Sequence, residues 1–501
     1  MFTHHALPHS HALSPRFPIP LKILLLAFCL LLLLNLSLPP ASAASLTVNT
    51  LADNTTNGDG FCTLREALLV ANNTATNDCG LASPADDTIT FSGAGTIHLT
   101  ATLPNLTAGA GTVTLDGGDD IILSGDTNND ETGDVRVLVI DSGANVTLKN
   151  LTIRDGKADT LLFGLLIGGG VFNQGTLNTL NVNFQQNRAD YGGAIYTEGT
   201  ANLTRTYFSQ NFAEVSGGAI DNASTLVTTQ VSFFSNTAVA LGGGILNFGN
   251  LTTMGTAFYD SIANNGAAIY NDNTALIADS YFNNDAAFER GGGIYNANGT
   301  LTVTRTTFSG DHANGNTDGG GCIANFATLT VTNSTFSYCQ ANSFGGGIYN
   351  ANQATITNST FSENSAVLGG GGIYNLMTLT LINTILANSA GGSDCVDMSF
   401  AVTAQNNLIE SDINNCGLVP GVNGNLIGQD PLLGPLNDSG QLVYPLRPGS
   451  PAIDAGDNAQ CPATDQTGLA RPQDGNLDGS AVCDIGAAET VFWVYMPLVI
   501  R

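Results

Sequence analysis

The sequence predicts an all-β protein, a right-handed parallel β-helix with an N-terminal helical cap and a C-terminal cap region. A segment of about 25 residues recurs at least nine times, and its core reads Gly-Gly-(Gly/Ala)-(Ile/Val)-aromatic-Asn, as at 291–296, 345–350 and 370–375. A Phe stands about twelve residues before most of the aliphatic positions. A fixed period of this kind is typical of a solenoid, in which each repeat buries its apolar face by stacking on its neighbours.

The turns of the solenoid are expected to consist of β-strands. Residues 300–308 (TLTVTRTTF) and 328–336 (TLTVTNSTF) alternate β-branched residues at period two and show no helical period. At ~3.3 Å per residue, a repeat of this length traces a loop about 80 Å around, enough for two or three short strands. We place the β-helix at residues 86–412.

The period-two rule also sorts the repeat core into two faces, with Ile and Asn inward and the aromatic residue outward. The inward amides are expected to form a hydrogen-bonded ladder, made by Asn173, Asn222, Asn247, Asn271, Asn296, Asn325, Asn350 and Asn375, with Thr197 in one turn. The outward aromatic residues are Phe172, Tyr196, Tyr270, Tyr295, Tyr349 and Tyr374. They are either packing within the solenoid or a glycan-binding platform for sugar rings, and both interpretations stay open.

Residues 1–43 are interpreted as a signal peptide, because two basic residues, Arg16 and Lys22, precede an apolar run and Ala41-Ser42-Ala43 fits a cleavage site. We therefore expect a secreted or cell-surface protein. No later segment reaches the ~20 apolar residues of a membrane-spanning helix.

Cysteine usage agrees with export. One of the nine cysteines lies in the leader, and the other eight fall into local pairs. Structural disulfides between nearest neighbours are the simplest choice in an oxidising compartment. The expected pairs are Cys62 with Cys79, Cys322 with Cys339, Cys395 with Cys416, and Cys461 with Cys483.

Residues 44–85 precede the repeats and are expected to form the N-terminal cap. Thr63 and Glu66 make a capping box that opens a short amphipathic helix, and such a helix can cover the open end of a β-helix. Residues 62–67, CTLREA, resemble the motif of the CSLREA domain, with Thr in place of Ser. The resemblance implies a surface or secreted β-helix protein with no assigned reaction.

The repeats resemble those of polymorphic outer-membrane proteins, which carry GGA(I/L/V) and FxxN tetrads. Residues 192–195 and 217–220 match the first tetrad, and 184–187, 208–211, 233–236 and 361–364 match the second. The resemblance implies an adhesin-like architecture.

Residues 413–490 resemble a choice-of-anchor Q domain, through SPAIDAG at 450–456, Arg471-Pro472 and CDIGA at 483–487. The resemblance implies a cap at the C-terminal end of a surface β-helix. The apolar segment 491–501 is either a sorting or anchoring tail or a final strand on this cap.

Two segments place oxygen ligands at alternate positions, the spacing that opens a calcium loop. The first is Asp474, Asn476 and Asp478, followed by Gly479 but without the Glu expected at loop position twelve. The second, weaker candidate is Asp126, Asn128 and Asp130. Calcium is the one cofactor that the sequence suggests.

The amino-acid composition restricts which classes of molecule can be binding partners. The chain has 14 Lys and Arg against 41 Asp and Glu, a net charge of −27 and a pI near 4.1. Nucleic acid is excluded as a partner, because binding phosphates requires the opposite charge. The same field opposes acidic glycans.

A polysaccharide lyase or glycoside hydrolase is the alternative function. Its strongest candidate residues lie in the one longer turn, at Asp311, His312 and Asp318. We favour a monomer acting in adhesion or surface presentation, with an extracellular glycan, above all a neutral one, or a surface protein as partner. A purely structural spacer is the third interpretation.

Overall fold

The alternating Thr, Leu and Val residues of the repeat form strands that pair in parallel from one turn to the next. The computed structural model describes residues 45–74, 77–81, 85–109, 111–162, 164–391, 393–399, 401–436 and 442–491. These residues form a parallel β-solenoid of about 13 turns, which confirms the predicted fold class. Strand Thr300–Thr304 pairs with Thr328–Thr332 so that Leu301 lies opposite Leu329 and Val303 opposite Val331.

Three parallel sheets are built from the described strands. The first, here the Ile–Asn sheet, has 11 strands: Leu138–Ile140, Val171–Asn173, Ile195–Thr197, Ile220–Asn222, Ile245–Asn247, Ile269–Asn271, Ile294–Asn296, Ile323–Asn325, Ile348–Asn350, Ile373–Asn375 and Cys395–Asp397. The short sheet has eight: Arg188–Tyr191, Phe212–Ser216, Thr237–Ala238, Ile262–Asn265, Ala286–Arg290, His312–Ala313, Gln340–Ala341 and Ser365–Ala366.

The third, here the long sheet, takes two strands from most turns, because a residue of positive φ such as Arg305 (φ 46°) bends the chain between them. Its 25 described strands are Ser45–Val48, Asp87–Phe91, Gly95–His98, Thr112–Ser124, Asn145–Arg154, Thr176–Gln185, Thr200–Thr204, Tyr207–Ser209, Thr225–Thr229, Ser232–Phe234, Asn250–Met254, Ala257–Tyr259, Thr274–Ala278, Tyr281–Asn283, Thr300–Thr304, Thr307–Ser309, Thr328–Thr332, Thr335–Ser337, Gln353–Thr357, Thr360–Ser362, Thr378–Ile382, Ile385–Ala387, Val402–Gln405, Leu408–Ile409 and Leu426–Ile427.

The interior is a set of columns of like residues. The repeat Phe side chains stack with ring centroids between 4.3 Å and 4.9 Å apart and nearly parallel planes. Each of these rings is fully buried; the column comprises Phe184, Phe208, Phe233, Phe258, Phe282, Phe308, Phe336 and Phe361. Stacked rings and aliphatic side chains therefore fill the core along its axis.

The predicted amide ladder is confirmed. All eight asparagines and Thr197 are fully buried. Asn271 Nδ2 donates to Asn296 Oδ1 at 2.8 Å, and Asn296 Nδ2 donates to Asn325 Oδ1 at 2.7 Å. At the first turn Asn173 Nδ2 donates to Thr197 Oγ1 at 2.9 Å, so the hydroxyl replaces the amide as acceptor.

Helix Leu64–Ala71 covers the N-terminal end of this core. Thr63 Oγ1 accepts from the backbone N–H of Glu66, and Glu66 Oε2 accepts from the backbone N–H of Thr63, which confirms the capping box. The buried residues Leu64 and Leu68 belong to the same apolar cluster as the first strands. A short 3-10 helix, Val422–Gly424, precedes the last strand. The signal peptide predicted at 1–43 and residues 492–501 of the predicted tail lie outside the described residues.

The region after the last strand packs along the side of the solenoid. We call residues 442–490 the C-terminal lobe. Gln466 Nε2 donates to Thr307 Oγ1, and Thr335 Oγ1 donates to Gln466 Oε1, both at 2.7 Å. Farther along, the backbone N–H of Ala487 donates to Thr360 Oγ1 at 2.9 Å. The lobe thus lies on the outer face of the long sheet over successive turns.

The four predicted disulfides are confirmed. Their Cα atoms are 4.7 Å apart in Cys62–Cys79, 5.5 Å in Cys322–Cys339, 5.1 Å in Cys395–Cys416 and 6.7 Å in Cys461–Cys483. The first lies at the N-terminal helix and the last lies inside the C-terminal lobe. No helix among the described residues is long and apolar enough to cross a bilayer.

Candidate functional site

The predicted aromatic column of the Ile–Asn sheet is in register. Phe172 lies opposite Tyr196, Tyr270 opposite Tyr295, and Tyr349 opposite Tyr374. The rings are nevertheless largely enclosed. Phe172 is 2% exposed and Tyr349 is 4% exposed, while the other four rings are half-buried.

Neighbouring segments cover the column. Phe172 packs with Val139 and Ile167, and the Tyr349 hydroxyl donates to Asp318 Oδ1 at 2.9 Å. Burial raises the pKa of Tyr196 and of Tyr270 to about 12. The column is therefore not an open platform, and the glycan-binding role of its rings stays a prediction.

The candidate catalytic residues do not converge. Asp311 is fully buried and points into the core, whereas His312, the next residue, is half-exposed on the short sheet. Asp318 is engaged elsewhere, in an ion pair of 2.7 Å with Arg290. Asp311 and His312 therefore differ in exposure, and the catalytic role of the three residues stays a prediction.

Asp311 belongs instead to a second interior ladder, which the sequence analysis missed. The last residue of each FxxN tetrad is buried, and Asn211 Nδ2 donates to Asn236 Oδ1 at 2.9 Å and to the Phe184 carbonyl at 3.0 Å. Asp285 and Asp311 take this position in successive turns. The signal was present in the sequence, since Asp311 stands three residues after Phe308.

Carboxyl groups in this ladder change its chemistry. The backbone N–H of Ser261 donates to Asp285 Oδ1 at 2.7 Å, while Asp285 Oδ2 is buried without a hydrogen-bond partner among the described residues. Burial raises the pKa of Asp285 to about 8. Burial, followed by the charge of Asp285, raises the pKa of Asp311 well above its usual range. Both groups are therefore more readily protonated in the folded chain.

The first candidate calcium loop is held by its own side chains. Asp474 accepts from the backbone N–H groups of Asp478 (3.0 Å) and Gly479 (2.9 Å), and Asn476 Oδ1 accepts from Asp478 at 2.9 Å. Asn476 and Asp478 are exposed. Calcium binding here stays a prediction.

The second candidate loop has the same pattern. Asp126, which is 1% exposed, accepts from the backbone N–H groups of Asn128, Asp130 and Glu131 at 3.2, 3.2 and 2.9 Å. Across the described ranges, no three His, Cys, Asp or Glu side chains come together as a metal-binding group.

A cavity of about 520 Å³ lies beside this second loop, and the sequence did not predict it. Lys157 and Arg188 line it, and the two residues are partners in a parallel β-bridge between successive turns. Arg188 forms an ion pair with Glu214, and its guanidinium lies 4.9 Å from the ring centroid of Phe212. Glu131 and Asp190 also line the cavity, so both charge signs meet there.

A second aromatic group lies on the outer face of the long sheet. Tyr207, Phe234, Tyr259 and Tyr281 come from four successive turns and form what we call the aromatic strip. Tyr207 is 36% exposed and Phe234 is 40% exposed. Tyr259 lies 6.4 Å from Phe234 and 5.7 Å from Tyr281, measured between ring centroids. Tyr207 and Tyr281 are the first residues of their three-residue strands, whereas Phe234 and Tyr259 are the third. An alignment of the repeats therefore shows no single position at which aromatic residues recur on this face.

Comparison with known proteins supports the repeat assignment. Residues 181–198 and 358–376 match the Chlamydia polymorphic membrane protein repeat. No curated protein matches the chain. Among solved structures, a pectate lyase, Pel9A, is similar at 13% identity and a TM-score of 0.35, over 90% of this chain and 98% of the lyase.

Proposed function

We propose that this protein is presented outside the cell and acts in adhesion, holding other molecules against the side faces of its β-helix. The partner class is an extracellular glycan or a surface protein. The proposal rests on a fold that displays the same side chains in successive turns of a disulfide-bonded parallel β-solenoid.

The observation that carries this proposal is the outer face of the long sheet. Thr300 lies opposite Thr328, and Thr302 lies opposite Thr330, which in turn lies opposite Thr355. These threonines are exposed or half-exposed. Hydroxyl groups repeated at ~4.8 Å along a sheet give a regular array of hydrogen-bonding groups without charge.

Two further observations support a place outside the cell. Disulfides persist in oxidising compartments, and the described chain carries four of them. The matched repeat is that of a polymorphic membrane protein family.

The test combines location and adhesion. Intact producing cells are treated with a protease and probed with an antibody to the chain, while cells expressing a cytoplasmic marker serve as the control. We expect the chain to be cleaved from intact cells and the purified chain to coat target cells. A chain that is protected from protease, or that coats no cell or glycan surface, contradicts the proposal, and the latter result favours the spacer.

The enzyme alternative is tested with the same protein. Incubation with polysaccharides and Ca²⁺ gives no new reducing ends and no unsaturated uronate absorbance if adhesion is the function. Products that disappear in His312→Ala would establish the enzyme instead.

A further inference from the structure

We propose that the aromatic strip is a binding site for a chain of neutral sugars. This inference rests on the proposed adhesive function and assigns it a surface and a ligand class. The strip lies on the long sheet, whereas the aromatic column lies on the Ile–Asn sheet. Tyr207 and Phe234 of the strip are 36% and 40% exposed, while Tyr259 and Tyr281 are half-buried, as four rings of the column are.

The strip begins where the C-terminal lobe ends. Outward positions of one strand column carry Thr307 and Thr335, which hydrogen-bond to the lobe. One turn earlier in the same column stands Tyr281, opposite Thr307. The described part of the lobe thus covers Thr307 and Thr335, and Tyr281 is the next outward residue of this column, followed by Ala257 and Ser232. Phe234 and Tyr259 stand at the other outward position of the same strands.

Rings at these positions are not needed to stabilise the core, which is filled by the Phe column beneath them. Exposed aromatic groups that line up along a surface mark interaction sites. Four successive turns extend the strip over about 14 Å, at ~4.8 Å per turn. A linear polymer fits this arrangement better than a small compact ligand.

The polar groups of the strip suit hydroxylated ligands. Three of the four rings are tyrosines, which join an apolar face to a polar hydroxyl group. Asn283 Nδ2 donates to the Tyr281 hydroxyl at 2.9 Å, so polar side-chain atoms lie beside this ring. The apolar face of a sugar ring packs on such side chains while its hydroxyls reach the polar atoms.

Charge determines which polymer binds. The charged groups beside the strip are already engaged: Arg305 forms an ion pair of 2.6 Å with Asp279, and Arg205 Nε donates to Asn181 Oδ1 at 2.9 Å. Asn181 is uncharged, so the exposed Arg205 keeps its positive charge. The Asp260 carboxylate next to Tyr259 accepts from Asn284 Nδ2 at 2.6 Å. The strip therefore carries no excess of positive charge within a chain of net charge −27. An anionic polymer would meet the repulsive field of the whole protein with Arg205 as a counter-charge at one end of the strip, whereas a neutral glycan would meet no such repulsion.

The test measures retention of the full-length chain on laminarin, xyloglucan, galactomannan and dextran, with polygalacturonate and hyaluronate as anionic polymers. The test variant is Phe234→Ala/Tyr259→Ala/Tyr281→Ala. The matched control is Phe248→Ala/Phe288→Ala, which removes rings that are 47% and 61% exposed on other parts of the surface. Circular dichroism and the unfolding midpoint establish that each variant is folded.

We expect the wild type to bind at least one neutral polymer and each single ring removal to weaken binding about two- to tenfold. The triple variant loses more than tenfold, and the control keeps wild-type affinity. If the triple variant does not fold, Phe234→Ser/Tyr207→Ser at the two most exposed rings replaces it, and Tyr259→Phe must retain binding.

The opposing results separate the site from the function. Unchanged binding by the folded triple variant overturns the strip and leaves the adhesive function standing. Wild-type binding to the anionic polymers alone also overturns it. Coating of target cells that survives removal of their glycans, but not of their surface proteins, assigns the partner to protein and overturns the inference. Failure of the wild type to bind any cell or polymer overturns both proposals.

Discussion

The backbone N–H of Asp285 donates to Asp311 Oδ1 at 2.9 Å, which links two carboxyl groups buried in successive turns of the core. Four other turns place Asn at this position, and its Nδ2 donates to a carbonyl of the preceding turn, as Asn236 does to Phe208 at 3.0 Å. A carboxylate has no donor to offer there. A protonated carboxyl does, so these two residues make the core sensitive to pH.

We predict that Asp285→Asn stabilises the protein in alkaline but not in acidic solution. The pKa of Asp285 is raised to about 8 in the folded chain, against ~4 in an unfolded one. Its contribution to stability is therefore complete below pH ~4 and is lost as pH rises through its folded pKa. Urea unfolding should show a gain of about 1–3 kcal/mol at pH 9 and little change at pH 4. Exposed Asp412→Asn is the control, and an equal gain at both pH values would contradict the prediction.

The amide ladder should tolerate a hydroxyl better than a methyl group. Asn296→Ala removes one acceptor of Asn271 Nδ2, which keeps the Asn273 carbonyl at 3.0 Å. It also removes one donor to Asn325 Oδ1, which keeps the Ala327 N–H at 3.3 Å. We expect a loss of about 2–4 kcal/mol in the free energy of unfolding. Asn296→Thr should lose less, because Thr197 already serves as acceptor in this column. Denaturant unfolding measures both, with exposed Asn298→Ala as the control; equal losses for Ala and Thr would show that the hydrogen bonds do not set the stability.

The C-terminal lobe depends on one buried arginine. Arg471 donates to the carbonyls of Asp484 (2.8 Å) and Gly486 (2.7 Å) and forms an ion pair of 3.2 Å with Glu489. Removing one partner of a buried pair costs about 3–5 kcal/mol. Arg471→Ala should therefore expose 442–490 to limited proteolysis while the repeats stay protected. Exposed Arg447→Ala should keep the wild-type cleavage pattern, and an intact lobe in Arg471→Ala would refute this role.

The Cys322–Cys339 disulfide joins two repeat positions: Cys322 stands where other repeats have the third Gly or Ala of the core, and Cys339 stands at the Asn position of the FxxN tetrad. Its loss in Cys322→Ala/Cys339→Ala is expected to lower the free energy of unfolding by about 3 kcal/mol. The variant Cys322→Ala/Cys339→Asn restores both repeat signatures and should lose about 1 kcal/mol less, because an amide at 339 rejoins the FxxN ladder. Thermal unfolding of the two variants side by side tests this. Identical midpoints would contradict the prediction, because they would show that an amide at 339 adds no stabilising hydrogen bond to the FxxN ladder.

The amide ladder and the aliphatic part of the interior were predictable from the sequence because their rules are local, although the FxxN ladder was missed. The period-two alternation and the 25-residue repeat place Asn296 and Phe308 in the core of the solenoid, independently of any further layer on its outer faces. The disulfide partners followed for the same reason, since the pairs are separated by only 17 to 22 residues and lie within about one turn.

The exterior was not predictable, because a repeat does not specify which of its faces receives a further layer. For Tyr349 the repeat allowed both packing and an open platform, and its contact with Asp318, 31 residues earlier, is not specified by the repeat. The contact of Gln466 with Thr307 spans 159 residues. Asp311 was a candidate for the alternative enzyme function, yet it occupies the last position of an FxxN-type tetrad and its side chain is buried.

The position of the C-terminal lobe has a consequence for how the molecule comes apart. In a bare array each winding touches only its neighbours, so the end can fray one winding at a time. The lobe bonds to Thr307, Thr335 and Thr360, which belong to successive windings. We therefore expect these windings and the lobe to unfold as one cooperative block, while the earlier windings open independently of it.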